Sequence, residues 1–487
     1  MKLTVLMLFS LLLSLALVGG AASVEGIGRL VNEGRWREAR LEIDHELARP
    51  GLAFFRQQAL LFERERMNRI QLDFDQTREQ VWSKAHALVP EVTEGMFARW
   101  ESAGAVEFLE VDGQRWFFQR AADNLFRIHP EARTLKAKAH PGASVTPAYR
   151  LRDIENILAA SDRTGQRFNT PVTWRVTYSL TVKPGQVPAG ETIRAWLPFP
   201  VSGGRQSDVR LVASDPPLTV PSPTNAALTS LYLEKPALDP QPTRFQVVFQ
   251  YTAKGFHQPV DPAQVRPVPA NDPGLAPFLV ERPPHLVFSE ALRKLSRQIV
   301  GTEANPYLKA RRCFQWVGDH IPWASAREYS TLDCLPAYAM ANGHGDCGIQ
   351  TMLFMALCRL NGIPARWESG WTTGSDQDMH DWCEIYLAPY GWVPVDVTYG
   401  LVKSEEERVK WFYLGGLDCH RLVVNTDHSQ VLYPAKTFFR SELVDFQRGE
   451  VEWRGGNLYF NQWDWDFRVE EISPTVAGNA KTPASSK

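Results

Sequence analysis

Apolar residues recur at helical spacing over the first part of the chain. The recurring positions begin with Ile27, Leu30, Val31, Leu41, Ile43 and Leu47. A break at Pro50 separates them from a second amphipathic stretch over residues 53–73, and residues 108–118 alternate around a turn sequence at Gly113. Residues 24–165 are therefore predicted to be mainly helical, with one β-hairpin. This region shows no residue pattern that indicates a chemical role.

A two-residue alternation replaces the helical spacing near residue 170. Apolar and polar residues alternate over residues 172–182, 193–199 and 245–251, and segments rich in Pro and Gly separate the three runs. Such alternation is typical of strands that bury one face. Residues 170–255 are therefore predicted to form an antiparallel β-sandwich, and a Pro-rich connector over residues 256–284 follows.

Helix and strand patterns are mixed in the next region, residues 285–425. Ser289 is a predicted cap for one helix, and Pro306 lies in the first turn of another. Residues 426–472 are aromatic and strand-like, whereas residues 473–487 are polar and are predicted to be disordered. Together these patterns predict an α+β protein with several domains.

Composition excludes some classes of partner. The 487 residues include 53 Lys and Arg against 55 Asp and Glu, a formal net charge of −2, and the basic residues form no dense run. An electrostatic nucleic-acid or acidic-lipid partner is therefore not expected. The 16 Trp residues are many for this length and favour large cores or a cleft with aromatic walls.

The first residues have the pattern of a secretory signal peptide. A lone Lys2 precedes an apolar run over residues 3–18, and small residues follow, so residues 1–23 are predicted to be removed on export to the periplasm or medium. The alternative, a membrane anchor, needs roughly 20 apolar residues. Six Cys are too few for a disulfide-built scaffold, and their pairing is left open.

The first candidate for chemistry is Cys347. It follows a Gly-rich loop, and Asp346 before it is a natural N-cap for a helix that ends near Gly362. Unpaired N–H groups and the helix dipole at this position favour the thiolate, which is the nucleophilic form of Cys. The alternative is a structural Cys, as Cys358 is expected to be in the apolar middle of the same helix.

Two predicted strands after this helix carry a base and its partner. His380 begins the first strand, and Asp396 lies in the second. Adjacent antiparallel strands bring the two side chains together if both face the same way. A carboxylate that accepts from one imidazole nitrogen leaves the other nitrogen aimed at sulfur. Cys347, His380 and Asp396 are thus the predicted nucleophile, base and orienting residue.

The sequence around these three residues resembles the transglutaminase-like superfamily of papain-fold thiol enzymes. The matching segments are GHGDCGIQTMLFMALCRLNGIPARWESGW around Cys347, MHDWCEIYL around His380 and GWVPVDVTYG around Asp396. The resemblance is strong over residues 305–400. It implies a papain-like core, in which the helix carrying Cys347 packs on an antiparallel sheet. It also implies a catalytic triad that forms a thioester, which water or an amine then captures.

Tryptophan residues supply further candidates under this resemblance. Family members often use an upstream aromatic or amide group to hold the oxyanion, and Trp323 is the candidate here, with core packing as the alternative. Trp371 and Trp382 are candidates for the substrate cleft, again with core packing as the alternative. Water is the default acceptor, so hydrolysis of a peptide, protein or other amide is expected over transamidation or deamidation.

No cofactor is expected, because no dense acidic loop has the spacing of calcium ligands. Residues 374–378 come nearest, and a solvated loop is the expected structure there. A zinc site is a rival interpretation, since His344 and Cys347, and His380 and Cys383, have paired-ligand spacing. Residues three apart on a strand face opposite sides, which argues against such a site.

A catalytically silent protein that binds a peptide or glycan is the other rival. Thiol reactivity distinguishes the two classes, because a nucleophilic Cys347 is expected to react with iodoacetamide faster than the other cysteines near neutral pH.

Overall fold

The computed structural model describes residues 23–140, 147–375 and 377–472, and the chain divides into two compact units, Met1–Pro141 and Gly142–Lys487. The predicted signal peptide, apart from Ser23, and the predicted disordered tail lie outside the described residues. Within those residues, no helix combines the length and the apolar character that crossing a membrane requires.

The first unit is helical and contains one hairpin, as the apolar spacing predicted. Its elements are α1 (Val24–Asn32), α2 (Trp36–Leu47), α3 (Phe54–Asp73), α4 (Arg78–Leu88), α5 (Glu94–Ser102), β1 (Phe108–Val111), β2 (Gln114–Phe117), α6 (Ala121–Ile128) and α7 (Pro130–Ala139). Asp112 and Gly113 both have positive φ in the β1–β2 turn, the conformation that a two-residue hairpin turn requires. One hydrophobic core extends through the helices and the hairpin.

The second unit begins with a helix and a β-sandwich. The elements of this part are α8 (Ala148–Thr164), β3 (Phe168–Val182), β4 (Thr192–Pro198), β5 (Gln206–Asp215), β6 (Val220–Pro221), β7 (Ser230–Pro236) and β8 (Thr243–His257). The alternating apolar residues of β3, β4 and β8 face one shared core, which confirms the predicted sandwich. The sequence analysis assigned α8 to the N-terminal region, whereas the structure places it in this unit.

The last strands of the chain complete the sandwich. They are β14 (Glu450–Trp453), β15 (Gly456–Leu458) and β16 (Trp463–Glu471). β16 pairs antiparallel with β3 along its whole length, and β14 pairs antiparallel with β4. The strand-like end of the chain therefore belongs to both sheets of the sandwich, a long-range pairing that local sequence patterns cannot reveal.

Between these two parts of the sandwich lies an α+β core. Its elements are α9 (Glu290–Val300), α10 (Pro306–His320), α11 (Leu335–Asn342), α12 (Cys347–Leu360), β9 (Ala365–Thr372), β10 (Asp378–Leu387), β11 (Gly391–Val395), α13 (Glu407–Lys410), β12 (Gly416–Leu417) and β13 (Arg421–Asn425). The four strands of its sheet lie in the order β11-β10-β9-β13 and pair antiparallel. β12 instead extends a sheet of the sandwich by pairing with β8.

α12 packs on this sheet and forms the centre of the core. Residues 348–359 of the helix are all buried, and their apolar side chains share one hydrophobic cluster with residues of β9, β10 and β11. The sequence explains the helix boundaries, because Asp346 caps the start and Gly362 adopts the positive φ that stops it. The predicted architecture, a Cys-bearing helix on an antiparallel sheet, is confirmed.

Candidate active site

Cys347 is the first residue of α12, and a capping carboxylate precedes it. Asp346 Oδ1 accepts a hydrogen bond from the Ile349 backbone N–H at 3.1 Å and another from the Tyr329 hydroxyl at 2.6 Å. Cys347 is partly exposed, although the helix behind it is buried. The fold therefore holds Cys347 at a fixed helix end, with its residue only partly exposed.

Gly348 follows the thiol, and the packing around it leaves no room for a side chain. A Cβ at this position would overlap the Tyr329 hydroxyl and would lie 2.7 Å from Asp381 Oδ2. Real Cβ atoms do not approach other heavy atoms this closely, so neighbouring groups would have to move. The glycine thus allows Tyr329 and Asp381 to approach the start of the helix.

The substitution Gly348→Ala is expected to lower the free energy of unfolding by about 1–3 kcal/mol, the usual cost of overpacking a core. Gly318→Ala is the matched control, because Gly318 lies inside α10 and a Cβ there meets no heavy atom within 4 Å. That control is expected to be stabilising by about 0.4–1 kcal/mol. Urea denaturation measures both values, and equal effects of the two substitutions would contradict the packing argument.

His380 lies in β10, and its imidazole contacts the buried carboxylate of Asp396, the residue directly after β11. The ladder pairs Cys383 with Val395, so Asp396 lies diagonally across from His380. His380 Nε2 and Asp396 Oδ2 are 2.8 Å apart, and both side chains are buried. Because this bond occupies Nε2, the nitrogen left for acid–base chemistry is Nδ1.

Arg421 in β13 contacts the same carboxylate. Its Nη2 lies 2.9 Å from Asp396 Oδ2 and 3.1 Å from Asp418 Oδ2, and the backbone N–H of Tyr399 donates to Asp396 Oδ1 at 3.0 Å. Burial by itself raises the pKa of Asp396, but His380 and Arg421 outweigh burial and lower that pKa to about 2. Asp396 is therefore a carboxylate throughout the neutral pH range.

An aromatic ring and a second guanidinium cover the imidazole. The Tyr399 ring stacks on His380 with ring centroids 5.0 Å apart and an interplanar angle of 29°. Arg150 lies over the Tyr399 ring, with its guanidinium carbon 3.8 Å from the ring centroid. Since Arg150 belongs to α8, this helix contributes to the surroundings of the candidate base.

The Cys347 thiol has an unexpected neighbour. Its Sγ lies 3.4 Å from Asp381 Oδ2, within hydrogen-bond distance for sulfur. Burial, followed by the Asp381 and Asp346 carboxyls, raises the pKa of Cys347 well above its ordinary range. The structure thus differs from the expectation that the helix dipole favours a thiolate, because burial and two carboxyls oppose it. Among the described residues, no hydrogen bond joins Sγ to the imidazole of His380.

Comparison with known proteins assigns this part of the chain to a family. Residues 293–397, which include Cys347, His380 and Asp396, match the model of the Transglutaminase-like superfamily, Transglut_core. Residues 293–397 are a transglutaminase-like domain. The match supports membership of a thiol-enzyme family for this domain.

One relative of the chain is distant. An uncharacterized protein of Haemophilus influenzae is 28% identical over 141 residues, which represent 23% of this chain and 37% of that protein. The chain thus spans little more than a third of that relative's length.

Two solved structures are also similar to the chain. One, from Cytophaga hutchinsonii and provisionally described as a cysteine protease, has a TM-score of 0.43 and 17% identity, with 63% of this chain and 93% of that chain covered. The other, the periplasmic domain of TgpA from Pseudomonas aeruginosa, has a TM-score of 0.26 and 15% identity, with 47% of this chain and 88% of that chain covered.

Trp323, the oxyanion candidate, lies beside the loop that precedes Cys347 in the transglutaminase-like domain. It forms a β-bridge with Gly345 and is 36% exposed. Trp323 also lines a cavity of about 280 Å³ together with Gln350 and Tyr399. Trp323 thus lies beside Gly345, two residues before Cys347, while its role as a hydrogen-bond donor stays a prediction.

Trp371 and Trp382, the two cleft candidates, are buried. Trp371 stacks on Phe467 in the sandwich core, with ring centroids 4.2 Å apart. Trp382 is completely buried and donates from Nε1 to Glu368 Oε2 at 2.6 Å. Both indoles thus have the contacts of core residues, which was the alternative interpretation.

The rival zinc site has no ligand set in the part of the chain that the structure describes. No three His, Cys, Asp or Glu side chains are grouped there in a way that could hold a metal ion. Cys383 lies in β10 and is completely buried in the hydrophobic cluster that this strand shares with α12. All six cysteines are free thiols.

Four residues near Cys347, His380 and Asp396 were not predicted from the sequence: Tyr399, Asp381, Arg421 and Gln447. Gln447 Nε2 donates to the His380 carbonyl at 3.0 Å and to Asp381 Oδ1 at 2.8 Å. Asp381 follows His380 directly in the MHDW segment, and this adjacency was the available signal. Arg421 and Gln447 come from later segments that carry no local motif.

Proposed function

We propose that the protein is a thiol hydrolase that cleaves a peptide, protein or other amide through Cys347, His380 and Asp396. The observation that carries this proposal is the buried 2.8 Å hydrogen bond between His380 Nε2 and Asp396 Oδ2, an oxygen that Arg421 also contacts at 2.9 Å. A carboxylate that fixes the tautomer and orientation of an imidazole prepares it to act as a base on a neighbouring nucleophile. Cys347, at the start of α12, is that nucleophile.

The proposed reaction has two stages. Cys347 Sγ attacks the amide carbon while its proton passes to His380 Nδ1; the C–N bond then breaks, and His380 gives the proton to the departing amine. The acyl group remains on sulfur as a thioester. Water attacks this thioester, His380 takes a proton from the water, and the proton returns to sulfur as the carboxylic acid leaves.

Two donors are proposed for the oxyanion that forms in each stage. One is the backbone N–H of Cys347 at the start of α12, where the N–H groups of the first turn have no partner within the helix. The other is the indole N–H of Trp323, whose chain segment bridges to the loop before Cys347.

We also propose that the protein is exported. The support is the pattern of residues 1–23, in which a lone Lys2, an apolar run and small residues follow in the order of a secretory signal. The substrate would then be met outside the cytoplasm.

The proposed function is tested with a panel of peptides and glutamine donors, comparing the wild-type protein with Cys347→Ala. The expected result is that the wild type cleaves a peptide and Cys347→Ala does not. Mass spectrometry identifies the products. Ammonia release or amine incorporation without cleavage would replace hydrolysis by deamidation or transamidation. No turnover by the wild type, together with equal labelling of several cysteines by iodoacetamide, would support a silent binding protein.

A further inference from the structure

A buried carboxyl is in contact with the proposed nucleophile and is fixed on both of its oxygens. Asp381 Oδ2 lies 3.4 Å from Cys347 Sγ and 3.4 Å from the Tyr329 hydroxyl. Its Oδ1 accepts a hydrogen bond from Gln447 Nε2 at 2.8 Å. The side chain is 1% exposed, and Gly348 leaves the space that Oδ2 occupies. Tyr329, Gln447 and Gly348 therefore position the Asp381 carboxyl against the sulfur.

The electrostatic surroundings of this pair are predominantly acidic. The titratable and charged groups around it are Asp346 at the start of α12, Glu328 and Tyr329 before α11, and Glu442, Asp445 and Arg448 from the segment before β14.

The positive charge in this group is already neutralised by other carboxylates. Arg448 Nη2 lies 2.6 Å from Glu328 Oε2, and Arg448 Nε lies 2.6 Å from Glu442 Oε1. Burial, followed by the nearby carboxyls, raises the pKa of Asp381 well above its usual range. Asp381 therefore has a strong tendency to share a proton, and the thiol of Cys347 is in position to share it.

We propose that Asp381 is a second acid–base group of the site, which shares the thiol proton of Cys347 and sets the pH at which the thiolate forms. This inference rests on the proposed function, because it takes Cys347 as the nucleophile. A carboxyl is ordinarily a much stronger acid than a thiol, and burial raises the pKa of both groups, so the shared proton stays on sulfur once the pair carries one negative charge. Cys347 then rests as a neutral thiol that donates to Asp381, and a second negative charge on sulfur is opposed by the carboxylate.

The substitution Asp381→Asn tests this role. Asparagine keeps the Oδ1 acceptor for Gln447 and replaces the Oδ2 carboxylate by a neutral N–H donor of the same shape. The rate of alkylation of Cys347 by iodoacetamide is measured against pH, with the labelled residue identified by mass spectrometry. We expect the midpoint of the profile to fall by about one pH unit and the rate at pH 7 to rise about tenfold.

Asp445→Asn is the matched control, because Asp445 is also a buried carboxyl of this group but lies outside hydrogen-bond contact with Sγ. It is expected to change the rate at pH 7 by about threefold at most. An unchanged or higher midpoint in Asp381→Asn would overturn the proposal. The higher midpoint is expected if Asp381 is instead a neutral carboxyl that donates a hydrogen bond to the Cys347 thiolate. If the Asn variant does not fold, as judged by circular dichroism, Asp381→Ala gives the same test and the same expected direction.

The alkylation assay needs no substrate, so it separates this inference from the proposed function. Unchanged labelling of Cys347 in His380→Ala would count against His380 as the base, whatever the result for Asp381. Slowed labelling in His380→Ala beside an unchanged profile in Asp381→Asn would overturn the role of Asp381 alone.

Discussion

Replacing Asp396 by asparagine is expected to lower kcat for amide hydrolysis about 10⁴-fold, the loss seen when the orienting carboxylate of a comparable triad is replaced by its amide. The Asp396 carboxylate accepts from His380 Nε2 and is ionised in the neutral pH range. Asparagine removes the charge that stabilises the imidazolium, and its amide N–H favours the tautomer that leaves Nδ1 without a free lone pair. Steady-state kinetics on the substrate identified in the panel measures the loss, with KM expected to change little.

The matched control for this prediction is Asp418→Asn. Asp418 is the other buried carboxylate on Arg421 Nη2, and it also accepts hydrogen bonds from the Tyr413 hydroxyl and the His420 backbone N–H. It is expected to reduce kcat by about tenfold at most, because Asp418 makes no hydrogen bond to His380 itself. Equal losses in the two variants would show that the charge balance around Arg421, and not the bond to His380, controls the rate.

The largest expected effect on stability belongs to Arg421→Met. Arg421 is buried between Asp396 and Asp418, so removing the guanidinium leaves two buried carboxylates with reduced compensation. The expected loss in the free energy of unfolding is about 3–5 kcal/mol. Chemical denaturation measures this loss, and Arg421→Lys is expected to restore part of it by keeping the charge.

Arg408→Met is the control for that comparison. Arg408 pairs with Asp162 at 2.9 Å, but both side chains are about half exposed, so the expected loss is about 0–1 kcal/mol. A loss in Arg421→Met no larger than in this control would contradict the argument from burial.

The same variant has a predicted pH dependence. The pKa of Asp396 is lowered to about 2 in the folded protein, so this carboxylate stabilises the fold above its unfolded-state pKa of about 3.9, and that stabilisation is lost as the pH falls toward 2. Without Arg421 the folded-state pKa rises, and the contribution becomes smaller. Acid unfolding of Arg421→Met is therefore expected to begin at a higher pH than that of the wild type, as circular dichroism would show.

Features with short-range causes were predictable from the sequence. The helix caps Ser289, Asn305 and Asp346 each accept a hydrogen bond from a backbone N–H three residues later. Such a contact depends only on adjacent residues, so a short motif reports it. The same is true of the β1–β2 turn and of the alternation in β3, β4 and β8.

Features that depend on distant segments were not predictable. Asp396 is held by Arg421, which belongs to a strand at the other edge of the four-stranded sheet.

The surroundings of the Cys347 thiol were not predictable for the same reason. The position of Cys347 at a helix start favours a thiolate, but the carboxyl of Asp381 reaches the sulfur from β10 and acts in the opposite direction. A motif predicts which cysteine is the candidate nucleophile, whereas the proton affinity of its thiol is set by groups that only the fold brings together.

The pairing of β16 with β3 and of β14 with β4 has a consequence for the biosynthesis of the protein. β3 and β4 leave the ribosome long before their partners, because the whole transglutaminase-like domain is translated in between. Each sheet of the sandwich therefore keeps an unpaired edge until β14 and β16 have been synthesised. Pairings between such distant segments form slowly. A nascent or truncated chain that ends before residue 450 therefore exposes two unpaired strand edges, which can join the edges of other chains and aggregate.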